Sequence, residues 1–263
     1  MKIPFYQADA FTDIPFKGNP AAVCLLEKEL LDDIMQTIAA ENFLPETAFV
    51  RPLSDGYALR WFSPKVEIPL CGHATLATAH ILWEQGIVPQ DQVLTFHTLS
   101  GKLTVEKEGE WLHLDFPGFG EERFPEDTRL ERAIGVPVIR YTRMHHFLIL
   151  EIEDAEQIPV LQPDLNILQE YEPVVVTAGT KRGPYDFVSR VFGPSIGIPE
   201  DPVTGSAHCC LGPYWGKRFG KEELLAYQAS ERGGEVKIRL SGDRVRLSGK
   251  GVTVIEGGLN VPG

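Results

Sequence analysis

The amino-acid sequence predicts an α+β protein of two similar halves, each a curved, mostly antiparallel sheet wrapped around one central helix. Three observations carry that expectation. The stretches "PLCGHATLATAHILW" (69–83) and "VTGSAHCCLGPYWG" (203–216) each follow a Pro-containing turn and hold no formally charged residue. A helix without a polar face is buried on all sides. The segments beginning at Arg60 and Arg190 repeat Arg, Phe, Pro, Ile and Pro at a constant offset of 130 positions, close to half of the 263-residue length. An internal duplication produces such an offset. Finally, "SGKLTVEKEGEWLHLDF" from Ser100 and "GGEVKIRLSGDRVRLSG" from Gly233 both alternate apolar and polar residues around a Gly-containing turn. That is the pattern of a hairpin with one buried face. Leu103, Val105, Leu112 and Leu114 stand against Val236, Ile238, Val245 and Leu247 at an offset of 133.

In chain order, "MKIPFYQADAFTDIPF" lacks a continuous apolar run after its one Lys and reads as a strand, not a signal peptide. "ENFLPETAFV" starts another strand near Glu46. The first uncharged helix begins near Ala74 and the second near Thr204 or Gly205. Between the halves, "FPGFGEERFPED" (116–127) gathers two Pro, two Gly and five charged residues, the composition of a linker. It divides the chain into domains 1–118 and 119–263, with the last strand free to pack with the first domain. Each half then runs strand, turn, buried helix and hairpin, and a cleft is expected between the copies.

Composition narrows the function. A formal net charge of -12, from 37 acids and 25 bases, disfavours nucleic acid and anionic membrane as partners. Apolar runs such as "FLIL" fall far below the roughly 20 residues of a spanning helix. The four cysteines form no CxxC pair, so free thiols and a cytoplasmic enzyme are expected. "GFG" at 118–120 lacks the third glycine and following helix of a dinucleotide site. Adjacent ligands in "HH" (145–146) and "HCC" (208–210) do not close readily on one zinc, so no metal or other cofactor is expected.

The helix entrances are the candidate site. Small residues there, Gly72 and Ala74 in the first half and Gly205, Ser206 and Ala207 in the second, leave backbone N–H groups open to an anion. At the offset of 130, Cys71 falls opposite Asp201. Alternate residues tend to point apart, so Cys71 reads as a small packed residue and not as a thiol activated by His73. Asp201, preceding Pro202, is open to either catalysis or helix capping. Glu46 sits between apolar residues, where desolvation suits a carboxyl to proton transfer; an exposed strand-end acid is the plainer alternative.

The motifs "DAFTDIPFKGNPAAV", "ETAF", "CGHATLATAH" and "EDPVTGSAH", in this order and spacing, resemble the phenazine-biosynthesis isomerase-like (PhzF) family. The resemblance covers essentially the whole chain. It implies a diaminopimelate epimerase-like fold, an active site between two domains, a homodimer, and cofactor-independent isomerisation of a small carboxylate metabolite by general acid-base proton transfer. It implies Glu46 as base and acid, with His73 and Asp201 as polar catalytic residues. Asn19, Gly72, Gly205 and Ser206 are implied as substrate contacts. Related racemases use a cysteine from each half; here Asp201 is read at the second position, which argues against a two-thiol reaction. Pro45 stands where the family often has Ser, so a different substrate is expected. A cysteine-dependent racemase or epimerase using Cys71, and a small-molecule binding protein without turnover, are the alternatives.

Overall fold

Two buried helices organise the structure, as their missing charge requires. In the computed structural model, which describes residues 1–261, the chain forms two units: Met1–Asp115 with the segment from Ser248 onward, and Phe116–Leu247. The first runs β1 (Lys2–Ala10), β2 (Asn19–Leu25), α1 (Asp32–Asn42), β3 (Glu46–Leu53), β4 (Gly56–Phe62), β5 (Glu67–Ile68), α2 (Gly72–Glu84), β6 (Leu94–Thr98), β7 (Gly101–Glu108) and β8 (Trp111–Pro117). The second runs β9 (Glu122–Arg123), α3 (Thr128–Ile134), β10 (Arg140–Met144), β11 (Phe147–Glu151), α4 (Leu165–Leu168), β12 (Val174–Gly179), β13 (Phe187–Gly193), β14 (Ile198–Asp201), α5 (Gly205–Phe219), β15 (Glu223–Gln228), β16 (Gly234–Ser241) and β17 (Arg244–Gly249). β18 (Gly251–Asn260) returns to the first unit. The unit boundaries fall inside β8 and β17, whereas the sequence analysis set one break after residue 118. No helix among the described residues is long and apolar enough to cross a membrane.

In the first unit, ten of the thirteen α2 residues are buried. β1, β2, β3 and β18 pack against the helix, so strands take the place of a solvated face. Inside that core the Thr75 and Thr78 hydroxyls donate to the carbonyls of Cys71 and Ala74, at 2.5 and 2.7 Å, which satisfies their polarity locally. β18 pairs antiparallel with β1 and extends the sheet. The other sheet face is covered by α1, whose Met35, Ile38 and Ala39 pack with Phe49 and Phe62.

The second unit repeats this plan around α5. Gly212 and Gly216 let β16 lie close to the helix: a Cβ on Gly212 would stand 2.8 Å from the Ile238 side chain, and one on Gly216 would collide with Leu240. On the other sheet face, α3 and α4 bring Leu130, Ile134 and Leu168 against Val174, Val176 and Phe192. These outer helices, like α1, carry no signal that the sequence analysis used.

The strand pairings confirm the repeat. In the first unit β2 is parallel to β3, β3 antiparallel to β4, β4 antiparallel to β5 and parallel to β6, and β6 antiparallel to β7. In the second, β11, β12, β13, β14, β15 and β16 pair in that same sequence of senses. A side-chain cluster repeats too. Arg60 forks onto Glu67 at 2.7 and 2.8 Å and lies 5.2 Å over the Phe62 ring. Arg190 forks onto Glu200 at 2.7 and 2.8 Å and lies 4.9 Å over Phe192. Such bidentate pairs hold a carboxylate in a fixed orientation.

The register corrects one alignment. Trp61 pairs with Ile68, and Val191 pairs with Asp201. The offset of 130 at the arginines has therefore become 133 at the next strand. Three added residues around the turn at Pro194–Ile196 account for the change. Cys71 thus corresponds to Thr204, each the N-cap of its central helix, and Asp201 corresponds to Ile68. The earlier match of Cys71 with Asp201 held the offset constant through an insertion.

Candidate active site

Glu46 opens β3 and lies beside Ala21 of the parallel strand β2. Side chains alternate along a strand. Thr47 accepts a hydrogen bond from Asn42 of α1, so Glu46 faces the opposite side, toward α2. There its Oε2 stands 3.1 Å from Nε2 of His73, with the two side chains only 12% and 9% exposed. The approach has ion-pair distance without the alignment of a hydrogen bond, so each atom retains bonding capacity inside the protein. Asn19 is buried at the start of β2. Two residues before Ala21, it shares the sheet face of Glu46.

On its other side, His73 Nδ1 lies 3.5 Å from the Cys71 sulfur. This overturns the expectation that residues 71 and 73 point apart. Cys71 is extended, at φ -141° and ψ 110°, while helix begins at Gly72. The bend at this junction brings residue 73 back over residue 71, which regular alternation does not. Burial would pull the His73 imidazole down, but the facing Cys71 and the negative charge of Glu46 outweigh it and hold it well above its ordinary value. Burial pushes the Cys71 thiol up, against the opposing pull of His73.

Trp61 shares the Glu46 face of the sheet, and the sequence analysis did not single it out. It pairs directly with Ala48 of β3 and therefore lies on the Glu46 face. Arg60, which reaches Asp32 of α1, lies on the other. The Trp61 indole Nε1 is buried without a hydrogen-bond partner among the described residues. Buried donors are ordinarily satisfied, so this one requires an explanation. An indole in an apolar strand looks like core, and its unmet N–H has no sequence signature.

The second unit places Asp201 at the end of β14 and Thr204 at the start of α5. The Thr204 hydroxyl donates to Asp201 Oδ2 at 2.5 Å. Gln228, fully buried, clamps the same turn: its Oε1 accepts from the Thr204 N–H at 2.9 Å and its Nε2 donates to the Asp201 carbonyl at 2.6 Å. Gln228 was also missed, because nothing in sequence links it to a turn 24 positions away. His208 Nδ1 meets the Thr204 carbonyl at 2.8 Å, and complete burial lowers this imidazole to about 4. Neither Cys71 nor Thr204 caps its helix with its side chain, so the first N–H groups at Gly72 and Gly205 have no side-chain cap. Gly205 is buried and Ser206 exposed at that end.

Structure also assembles a ligand group that spacing concealed. Glu46, Cys71 and His73 each offer one metal-ligating atom, all within 4.8 Å of one another. In tetrahedral zinc sites, Zn–S of about 2.3 Å and Zn–N of about 2.0 Å bring neighbouring ligand atoms to about 3.5 Å. Here the two His73 nitrogens face different partners, so one ion could take all three groups only after the ring turned and lost its proton.

Known proteins match this chain along its length. The phenazine biosynthesis-like protein family model matches residues 8–257. An uncharacterized isomerase of Halalkalibacterium halodurans is 48% identical, over 98% of this chain and 99% of the relative. A crystal structure of a PhzF-family phenazine biosynthesis protein from Enterococcus faecalis superposes with a TM-score of 0.95 at 42% identity, covering 99% of this chain and 100% of the other. A hydroxyproline epimerase from Agrobacterium vitis, with bound trans-4-hydroxy-L-proline, shares the fold alone, with a TM-score of 0.63 at 9% identity over 98% and 92% of the two chains.

Proposed function

The chain belongs to the phenazine biosynthesis-like protein family, and from that premise we propose that it is a cofactor-independent isomerase moving a proton within a small carboxylate metabolite. The observation that carries this reading is the buried pairing of Glu46 with His73, whose imidazole is held above its ordinary value. In this mechanism Glu46 takes a proton from a carbon next to an activating group. The electron pair of that C–H bond spreads onto the substrate carboxylate or its conjugated system. The His73 charge and the uncapped α2 entrance stabilise the negative charge as it forms. Glu46, now protonated, returns the proton to a different carbon on the same face of the substrate, which gives the isomer. This transfer is redox-neutral and consumes no co-reactant. Trp61 supplies a further donor on the same face.

Asp201 is assigned to the same reaction from the second unit, with Asn19, Gly72, Gly205 and Ser206 as substrate contacts. A thiolate base is disfavoured because burial raises the Cys71 thiol, and its counterpart in the repeat is Thr204, not a second cysteine. The direct test is incubation in heavy water with 2-amino, 2-hydroxy and unsaturated small carboxylates, read by mass spectrometry. The proposal expects deuterium at a carbon-bound position of at least one of them, with no added metal or nucleotide. A carboxylate that binds the protein but never exchanges a carbon-bound proton would support the binding-protein alternative instead.

A further inference from the structure

The His73 ring is engaged at both nitrogens, but only the Nε2 side faces the acid assigned to the chemistry. The Nδ1 side is met by Cys71, and that choice carries a cost. Cys71 is the N-cap of α2, a position where Ser, Thr, Asp or Asn usually accepts an orphan helix N–H and stabilises the helix. Cys71 makes no aligned cap bond, although its sulfur lies near the Ala74 N–H of the first turn, and the same sulfur meets the imidazole at 3.5 Å. A thiol also suits the charge of the site. An acid at position 71 would add a second buried anion beside Glu46, whereas a neutral thiol leaves carboxylate and imidazolium balanced. A residue present only to fill space requires neither this direction nor this chemistry.

We infer that Cys71 is a positioning residue: its sulfur holds Nδ1 so that the His73 ring keeps a protonated Nε2 facing Glu46. Its consequence for turnover rests on the isomerase reading, but its structural content does not. The titratable and charged groups on the strands packed against α2 are Lys2, Tyr6 and Asp9 of β1, Cys24 of β2, Glu46 and Arg51 of β3 and Glu256 of β18. Of these, Glu46 is the one within ion-pair distance of His73 among the described residues. On α2 itself, His80 and Glu84 pair with each other at the far end. The ring therefore has two close titratable neighbours, Glu46 and Cys71.

The test is a pH titration of the full chain labelled with 15N at histidine, read by NMR, with the His73 signals assigned from a His73→Asn spectrum. In Cys71→Ala the His73 midpoint should fall by roughly one pH unit, as expected for losing a polar partner, and the neutral ring should sample both tautomers. In Cys71→Ser, where a hydroxyl can still meet Nδ1, most of the shift and the single ring orientation should return. A Cys71→Ala protein that is folded and titrates like the parent would overturn the inference. So would a Cys71→Ser protein behaving as Cys71→Ala. Deuterium exchange on the same proteins separates the two readings: if the parent exchanges no carboxylate, the isomerase reading fails while the titration still decides the role of Cys71. If the parent does exchange, Cys71→Ala should lose turnover about tenfold with little change in KM.

Discussion

The two helix entrances share a scaffold and differ in what they do with it. Both are reached through an Arg–Glu fork over a Phe ring, and both begin with a Gly behind an N-cap that does not cap. In the first unit, Cys71 turns to His73, and His73 faces Glu46. In the second, Thr204 turns to Asp201, and Gln228 holds both ends of that turn. The strand register gives Glu46 no acidic counterpart: Thr47 pairs with Phe62 as Val174 pairs with Phe192, so the residue equivalent to Glu46 is Pro173. His73 is matched by Ser206. One entrance keeps groups poised for a proton, and the other ties its acid into a closed network. The comparison teaches that a duplicated framework fixes where a helix N-terminus lies, while a few side chains decide whether that place is reactive.

The strongest way to break the contrast is Glu46→Gln. It keeps shape and removes the base, so deuterium exchange should fall on the order of 10²- to 10⁴-fold with ligand binding retained. Exchange at the parental rate would show that Glu46 is not the base. A stability measurement separates the units by their histidines. His208, lowered to about 4 by burial, stays neutral in the fold while the unfolded chain protonates from about 6.5 downward. Its contribution is therefore present above about 6.5 and is lost as pH falls toward 4, amounting to about 2 kcal/mol between pH 7 and pH 5. His73 is raised and has the opposite sign: its contribution is complete below about 6.5 and is lost as pH rises through its own raised value. Urea titrations at several pH values should show the acid-side loss in the parent and its disappearance in His208→Asn.

Two smaller effects sharpen the comparison. Asp201→Asn should slow exchange by about tenfold, because the amide keeps an oxygen for Thr204 but gives up the charge. An unaltered rate would confine the chemistry to the first unit. Trp61→Phe keeps a buried ring and removes the unmatched N–H. Stability should fall by about 1–2 kcal/mol, because the smaller ring leaves a gap in the core, while exchange drops by about threefold. If exchange is unchanged, the indole has no part in binding substrate.

Much of the fold was legible because burial leaves a composition signal. The absence of charge in 72–83 and 203–216 located both central helices, and the repeated Arg-Phe-Pro pattern located the duplication. The outer helices were not legible in this way. α1 buries only Met35, Ile38 and Ala39, and its other residues are ordinary surface. The candidate site was legible where motif and burial coincide, at Glu46 and His73, which the structure brings together. It was illegible where geometry bends at a junction, as between Cys71 and His73, and where an insertion shifts register, as between Ile68 and Asp201. Gln228 and Trp61 were invisible because hydrogen-bond satisfaction is a property of space, not of sequence spacing.

The return of β18 has a consequence for biosynthesis. β1 pairs along its length with β18, with residues 11–250 lying between them. On the ribosome, every residue of the second unit has been made before the first unit's last strand exists. Until Gly251–Asn260 emerge, β1 carries an unpaired edge, and such edges recruit strands from other chains. Nascent chains stalled just short of β18 should therefore hold a protease-resistant second unit beside a first unit that still needs a chaperone.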